Sequence, residues 1–246
     1  MLEKALLVVA AVLMLIFAVT SKKTIGFAAW SLFGIYWIVL VPYYLSVGDY
    51  YNSTLFTLAF LFFIYLSFKI IKTANLKVFI DITNFALLSC IVYFTVLFTF
   101  LSHLLIELVA KQTTCFVNFL GYDAKNFGEI IELNSRYVKI ILPCTGIESM
   151  ALFAGATLGI KAETRRKIIA FLVSVPVIYI LNILRNAFVL LSHAYLWFGE
   201  NSFFIAHHVI SKILATLALI MITLAVFKVL PELEKLIISL KDELVK

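Results

Sequence analysis

Long apolar segments separated by short polar loops constrain this chain more than any other feature. Hydrophobic residues make up 63% of the 246 positions and charged residues only 14%, whereas a soluble domain has about 25% charged residues. A helix needs about 20 apolar residues to cross the hydrocarbon core of a bilayer. We therefore predict an all-α polytopic membrane protein with about seven transmembrane helices. The predicted spans are 3–20, 25–46, 53–71, 80–109, 146–160, 168–196 and 206–229.

Basic residues predict the orientation of these spans. They follow the first, third, fifth and seventh segments, whereas the loops at 47–52 and 197–205 contain neither lysine nor arginine. Because cytoplasmic loops are enriched in basic residues, we expect the N-terminus outside the cell and the C-terminus inside. The same bias accounts for the net charge of +6, so no nucleic-acid partner is expected. A signal peptide is the alternative for the first segment, but its apolar run is long and no A-x-A site follows.

The loops and the tail complete the predicted organisation. Residues 1–230 are expected to form a single transmembrane domain, in which 111–145 is the only sizeable outer segment. Charged and apolar residues alternate there around Asn134 and Ser135, which predicts a small extracytoplasmic hairpin before the fifth span. Residues 231–246 have apolar side chains at helical spacing with charges between them. This pattern predicts an amphipathic tail on the cytoplasmic membrane surface.

Three chemically active side chains come from different predicted helices but from one predicted membrane face. Cys144 precedes segment five from the outside, and His207 opens segment seven from the outside. Arg185 lies about 26 Å along segment six from its cytoplasmic end, close to the same outer face. A histidine can take up a thiol proton, and an arginine can stabilise an oxyanion. Asn182 lies three residues before Arg185 on the same helical face and can support it.

Each of these residues also has another interpretation. Cysteine and histidine spacing does not match a zinc site, and no metal or organic cofactor is expected. The open alternatives are a Cys115–Cys144 disulfide, an ion pair of Arg185 with Glu107 or Glu200, a rival general base formed by His103 and Glu107, and an interfacial role for His207. His208, adjacent to His207, is an alternative acid–base group.

Three short motifs resemble those of the archaeosortase/exosortase family. LPCTGIESM at 142–150 resembles the cysteine motif, in which Cys, Ser or Thr, and Gly occur in that order at the start of a membrane helix. NILRN at 182–186 resembles the N-x-x-R motif, and AHHVIS at 206–211 resembles the histidine motif that opens a later helix. The resemblance covers roughly residues 80–230, and the ordered set is more specific than any single motif.

The resemblance implies a membrane cysteine transpeptidase that works outside the cytoplasmic membrane. Its substrates would be secreted proteins whose C-terminal sorting signal consists of a short motif, a transmembrane helix and a basic cluster. A thioester acyl-enzyme would then be transferred to an amine on a lipid or envelope acceptor. The residues carried over are Cys144 as the nucleophile, Arg185 as the group that stabilises the transition state and His207 as the acid–base group, with Asn182, His208 and Thr145 supporting or alternative.

Other functions remain open on the sequence alone. A transporter or channel with a polar site at its outer face would also have about seven helices and a buried arginine. That class predicts polar residues throughout the membrane depth, whereas the ionisable residues here cluster at one end of the segments. A different membrane enzyme would need motifs such as HExxH, GxSxG or paired aspartates, which the sequence lacks. The last alternative is a catalytically inactive assembly factor of the cell envelope.

Overall fold

A computed structural model describes residues 2–246, and helices dominate this part of the chain. The helices are α1 (Leu2–Thr20), α2 (Lys23–Ser46), α3 (Tyr50–Lys72), α4 (Leu76–Leu97), α5 (Leu101–Phe119), α6 (Ile147–Leu158), α7 (Thr164–Ala194), α8 (Ser202–Phe204), α9 (Ser211–Val229) and α10 (Pro231–Val245). The strands are β1 (Lys125–Phe127), β2 (Ile130–Leu133) and β3 (Arg136–Lys139). The predicted class of helical polytopic membrane protein is confirmed.

Six helical segments in the described residues are long and apolar enough to cross a membrane. They are Glu3–Thr20, Lys23–Ser46, Tyr50–Lys72, Leu76–Leu97, Thr164–Ala194 and Gly199–Val229. The fifth predicted span corresponds to α6, an apolar helix of only 12 residues. Its length is about 18 Å, which is shorter than a typical hydrocarbon core. A total of seven spans therefore stays a prediction.

The fourth predicted span was wrong in one respect, because 80–109 is not a single helix. Helix α4 ends at Leu97, and α5 begins at Leu101 after a short break. Side-chain hydroxyls compete with the helical ladder at this break: Thr99 Oγ1 donates to Thr95 O at 2.5 Å and accepts from Leu101 N at 3.3 Å. Such local bonds offer the backbone an alternative to a continuous helix.

The described chain forms two compact units. Unit 1 comprises residues up to Cys90, Gly159–Ala162 and Pro231–Lys246, and unit 2 comprises Ile91–Leu158 and Glu163–Leu230. In unit 1, apolar side chains from α1 to α4 form a core that includes the fully buried Phe17 and Phe79. Within a bilayer, such side chains stabilise the helices through close van der Waals packing rather than through removal from water.

Polar side chains in unit 1 connect its helices at specific points. Trp30 Nε1 donates to Thr83 Oγ1 at 3.0 Å in this buried core. Lys23 Nζ donates to Thr73 O at 2.6 Å, beside the C-terminal end of α3, where backbone carbonyls lack helical partners. Tyr65 Oη donates to Leu244 O at 2.6 Å and so connects α3 to the amphipathic helix α10.

Unit 2 contains a small antiparallel sheet in the order β1-β2-β3. Strands β2 and β3 are joined at Asn134 and Ser135, whose φ values of 52° and 59° belong to the left-handed region that a two-residue turn requires. Ile131 is fully buried in the same core as Leu190 of α7. Asn134 Nδ2 also donates to Ala194 O at 3.0 Å, so the turn caps the end of α7.

Candidate active site

One helix, α7, supplies most of the polar side chains of the candidate site. Asn182, Arg185 and Asn186 lie three and four residues apart, which places them on neighbouring positions of one helical face. Asn182 and Asn186 are buried, and Arg185 is half-buried. Buried amides and guanidinium groups need hydrogen-bond partners, so their contacts define the site.

The backbone of Cys144 is held by both asparagines. Cys144 lies in a 3₁₀ turn at Leu142–Thr145, just before α6 rather than inside it. Its carbonyl oxygen accepts from Asn182 Nδ2 at 2.5 Å and from Asn186 Nδ2 at 2.9 Å. A carbonyl has two lone pairs, and both have a donor here. The two amides therefore fix the position of the cysteine main chain against α7.

The two residues after Cys144 support this turn in different ways. Thr145 is fully buried, and its hydroxyl donates to Leu142 O at 2.7 Å. Gly146 has a φ of 75°, a conformation that L side chains rarely adopt. A Cβ at this position would lie 3.2 Å from Cγ of Asn182. The sequence Cys-Thr-Gly thus fits both the turn and the close approach of α7.

Arg185 contacts a histidine from the last apolar segment. Its Nη2 lies 3.3 Å from Nε2 of His207, and this contact is a hydrogen bond only when Nε2 carries no proton. Within residues 2–246, the guanidinium of Arg185 therefore contacts His207 rather than the alternative carboxylates, Glu107 and Glu200.

Both histidines occur in a π-helical turn at Ile205–Ile210, between α8 and α9. The ring of His207 stacks on Phe203 with centroids 5.3 Å apart, and the ring of His208 stacks on Phe204 at 5.2 Å. π-helical turns are rare and occur frequently at functional sites. Aromatic stacking therefore restrains each imidazole, but the hydrogen bond to Arg185 distinguishes His207 from its neighbour.

The alternative disulfide does not form, and the alternative general base lies elsewhere on the molecule. Cys115 is an exposed free thiol and Cys144 is a half-buried free thiol, so the two are not joined by a disulfide. His103 and Glu107 are both exposed on α5. In the part of the chain that the structure describes, no three His, Cys, Asp or Glu side chains are grouped as metal ligands.

Two polar contacts at the site were not predicted from the sequence. Asn182 was expected to support the guanidinium, but its amide bonds the Cys144 carbonyl, and Asn186 adds a second donor. The four-residue spacing of the two asparagines was the available signal. One turn before Asn182, the hydroxyl of Tyr179 donates to Gln112 Oε1 at 2.6 Å, which connects α7 to α5.

A cavity of about 370 Å³ adjoins these residues within unit 2. Gly146, Asn182 and Arg185 line part of it, and apolar side chains of α7 and α9 line most of the remainder. Space next to the guanidinium is a requirement for any substrate that this group is to contact.

Comparisons with known proteins show the family to which this chain is similar. The family model described as transmembrane exosortase (Exosortase_EpsH) matches residues 2–226. Archaeosortase A of Haloferax volcanii is 30% identical in an alignment of 243 positions that covers 84% of this chain and 80% of the relative. Archaeosortase A of Natronomonas pharaonis is 26% identical in an alignment of 246 positions that covers 87% of this chain and 78% of the relative. No solved structure gives a significant match.

The family match extends well beyond the three motifs, since it includes the apolar helices of both units. A resemblance carried only by Cys144, Arg185 and His207 could arise by chance in a helical membrane protein. A match over almost the whole sequence does not. The chain therefore belongs to the transmembrane exosortase family.

Proposed function

We propose that this protein is a membrane-embedded cysteine transpeptidase that cleaves the C-terminal sorting signal of secreted proteins. The products are a released C-terminal helix and a protein joined to an amine on a lipid or envelope acceptor. Membership of the exosortase family and the likeness to two archaeosortases support a processing enzyme for sorting signals. The comparisons give no support to the transporter alternative.

The single observation that carries the proposal is the convergence of three segments on one face of α7. Asn182 and Asn186 hold the Cys144 carbonyl, and Arg185, between them in sequence, contacts His207. The residues proposed as nucleophile, positive charge and proton acceptor therefore all adjoin the same stretch of α7. Preorganised groups of this kind lower the barrier because they need little rearrangement in the transition state.

In the first half-reaction, the sulfur of Cys144 attacks the carbonyl carbon of the scissile peptide bond. His207 takes the thiol proton, and Arg185 donates hydrogen bonds to the oxyanion that develops. The C–N bond then breaks, the leaving amine takes the proton from His207, and a thioester remains. A proton on Nε2 of His207 would lie next to the guanidinium, so repulsion between like charges favours its transfer to the amine.

In the second half-reaction, an acceptor amine attacks the thioester carbonyl. An amide C–N bond forms, the C–S bond breaks, and the amine proton returns through His207 to the sulfur. No oxidant, reductant or metal takes part in either step. A bilayer location suits this reaction because a substrate helix can reach the site by lateral diffusion.

Co-expression with a protein that carries a C-terminal sorting signal tests the proposal. We expect Cys144→Ala, Arg185→Ala and His207→Ala to accumulate unprocessed substrate in the membrane, whereas His208→Ala should still process it. Cys115→Ala is the matched control, because that thiol is exposed and outside the site. Normal processing by Cys144→Ala would rule out a cysteine transpeptidase.

Thiol labelling of intact cells tests the proposed orientation separately. Cys115 is exposed and lies in the segment 111–145 that we place outside the cell. A membrane-impermeant maleimide should therefore label Cys115 in a Cys90→Ala/Cys144→Ala background without lysis. Labelling only after lysis would place this segment, and with it the active site, on the cytoplasmic side.

A further inference from the structure

Strand β3 of the small sheet has one edge that no other strand covers. In the part of the chain that the structure describes, the sheet order is β1-β2-β3, so β3 pairs with β2 on one side only. Ile140 N donates to Glu129 O at 2.8 Å, on the β2 side. Successive residues of an antiparallel strand direct their backbone groups to opposite edges. The N–H and C=O groups of Tyr137, Lys139 and Ile141 therefore point away from β2.

This outward edge of β3 is open to a further strand. Tyr137 is 61% exposed and Ile141 is 47% exposed. Within residues 2–246, the outward N–H groups of Tyr137 and Lys139 have no hydrogen-bond acceptor. A lysine commonly protects such an edge, but the ammonium of Lys139 bonds Glu129 Oε1 at 2.8 Å, on the β2 side of the strand. The usual protective side chain is thus directed away from the open edge.

The same strand is fixed in position relative to the candidate catalytic residues. Val138 and Ile140 are buried in one core with residues of α7, and the turn before β3 bonds the end of α7 through Asn134. Ile141 lies three residues before Cys144, and the 3₁₀ turn that contains the cysteine follows it directly. The open edge therefore leads to the nucleophile and can align a substrate with it.

The proposed reaction identifies the occupant of this edge. The scissile peptide bond must lie at Cys144, and beyond that bond the substrate continues into its transmembrane helix. The substrate residues before the bond therefore approach Cys144 with their C-terminal end, as β3 does. An extended peptide that lies along residues 137–141 in this way runs parallel to β3.

We propose that the open edge of β3 binds the substrate segment just before the scissile bond as an added parallel strand. This inference rests on the proposed transpeptidase function. At ~3.3 Å per residue, the edge from Tyr137 to Ile141 is about 13 Å long and pairs with about five substrate residues. Main-chain hydrogen bonds supply the affinity, and the alternating side chains of the added strand supply the selectivity. The pairing holds the scissile carbonyl beside Cys144.

A proline substitution at the open edge tests the proposal with the full chain in nanodiscs and a substrate that is processed in the co-expression assay. Tyr137→Pro removes one outward N–H without breaking a bond to β2, and proline is tolerated at such edge positions. We expect kcat/KM for helix release to fall about fivefold, the effect of one lost backbone hydrogen bond. Tyr137→Ala keeps the N–H and should retain the wild-type rate. Equal rates for the two variants would overturn the proposal.

The opposite edge of the sheet provides the matched control. Asn126 of β1 lies opposite Ile131, whose backbone groups are directed to β3, so the N–H of Asn126 also points outward. Asn126→Pro therefore introduces the same ring at an edge that does not lead to Cys144, and processing should not change. A defect as large as that of Tyr137→Pro would assign both effects to lost sheet stability and overturn the proposal.

A second pair of variants keeps the test valid if Tyr137→Pro fails to fold. Lys139→Pro also removes an outward N–H, and Lys139→Ala is its control because both variants lose the ion pair with Glu129. The proline variant should again be about fivefold slower than the alanine variant. Equal rates within this pair would contradict the proposed pairing.

Ester substitutions in the substrate give a second signature of strand pairing. In a synthetic sorting-signal peptide, each amide before the scissile bond is replaced in turn by an ester, which removes its N–H. Only alternate residues of a strand direct their N–H groups to one neighbour, so processing should fall at every second position. Sensitivity at every position, or at none, would contradict an added strand.

Hydrogen exchange distinguishes the substrate from a second copy of this chain as the occupant. In the Cys144→Ser variant, the sorting-signal peptide should slow exchange at the amides of Tyr137 and Lys139 but not at Asn126. Slower exchange that depends only on the concentration of the protein itself would assign the edge to a second copy and overturn the proposal.

Failure of this inference can be told apart from failure of the proposed function. If Cys144→Ala still processes the substrate, the proposed function fails whatever the edge variants show. If Cys144→Ala is inactive but Tyr137→Pro and Lys139→Pro match their alanine controls, the transpeptidase stands and only the added strand fails.

Discussion

The two compact units use buried polar side chains in different ways. In unit 1, polar groups connect helices pairwise, as when Trp30 donates to Thr83. In unit 2, Asn182 and Asn186 converge on a single acceptor, the carbonyl of Cys144. Pairwise bonds stabilise packing, whereas convergent donors fix one atom in space. Substitutions should therefore reduce stability in unit 1 and catalysis in unit 2.

The cavities of the two units differ in the charged residues that line them. Unit 1 has a cavity of about 140 Å³ whose lining includes Asp81, Lys161 and Glu232, charges of both signs. The larger cavity of unit 2 has Arg185 among mostly apolar residues. Opposite charges in one small space can compensate each other, but a lone guanidinium can stabilise an anion that arrives or develops there.

The largest expected effect is on Arg185. Arg185→Lys should lower the rate of processing by about 100-fold or more, because lysine lacks the planar fork and loss of one oxyanion donor costs ~2.7–4 kcal/mol. The measurement is the initial rate of helix release from substrate in nanodiscs. Arg166→Lys is the matched control on the same helix, where the side chain pairs with Glu163 at 3.4 Å. Similar rates for both variants would contradict a catalytic role for this guanidinium.

Two glycines with left-handed backbone allow a direct comparison of the units. Gly146 and Gly48 have φ values of 75° and 73°, but only at Gly146 would an added Cβ have other atoms within 4 Å. Both alanine variants should lose about 1–2 kcal/mol of stability from backbone strain. Gly146→Ala should additionally lower processing about tenfold, because its Cβ displaces Asn182 from the cysteine carbonyl. Equal activities of the two variants would show that this displacement is harmless.

A smaller effect is expected at Asn186. Asn186→Ala removes one of the two donors to Cys144 O and leaves the other, so a loss of about 1 kcal/mol, or roughly fivefold in rate, is expected. Asn118→Ala is the control, because that amide bonds the backbone of Ala124 in the same unit. A double-mutant cycle with Asn182→Ala measures the coupling of the two donors. Strict additivity of their effects would argue against a shared acceptor.

The smallest effect on processing is expected in unit 1. Thr83→Val leaves the buried Trp30 N–H without its acceptor and should lower the free energy of unfolding by about 1–3 kcal/mol. Processing by the folded enzyme should not change. Thermal unfolding and processing are measured together, with Thr57→Val as the control, since its hydroxyl bonds only within its own helix at 2.8 Å. If Thr83→Val lowered the processing rate without loss of stability, polar bonds in unit 1 would also affect catalysis, and the contrast between the units would be wrong.

The length of the apolar segments predicted most long helices, because burial in lipid makes their composition distinctive. This criterion missed the break at Phe98–Phe100, where every residue is compatible with a membrane helix and where the Thr99 hydroxyl bonds the backbone of Thr95 and Leu101. It also missed the π-helical turn at Ile205–Ile210, since the extra residue in such a turn leaves no compositional signal.

For the site, the sequence identified candidate residues but not the groups to which they form hydrogen bonds. Helical spacing placed Asn182 and Arg185 on one face, yet only three-dimensional packing decides which acceptor an amide meets. Asn186 was overlooked for this reason. The contact between Arg185 and His207 joins positions 22 residues apart and depends on how α7 packs beside the start of α9.

The two asparagine amides bind the main-chain carbonyl of Cys144 and make no hydrogen bond to its side chain. A replacement of the sulfur by oxygen in Cys144→Ser therefore keeps every bond that positions the turn, while it removes the reactive thiol. Such a variant can bind its substrate without cleaving it. It is the natural choice of trap for isolating the enzyme together with an intact substrate.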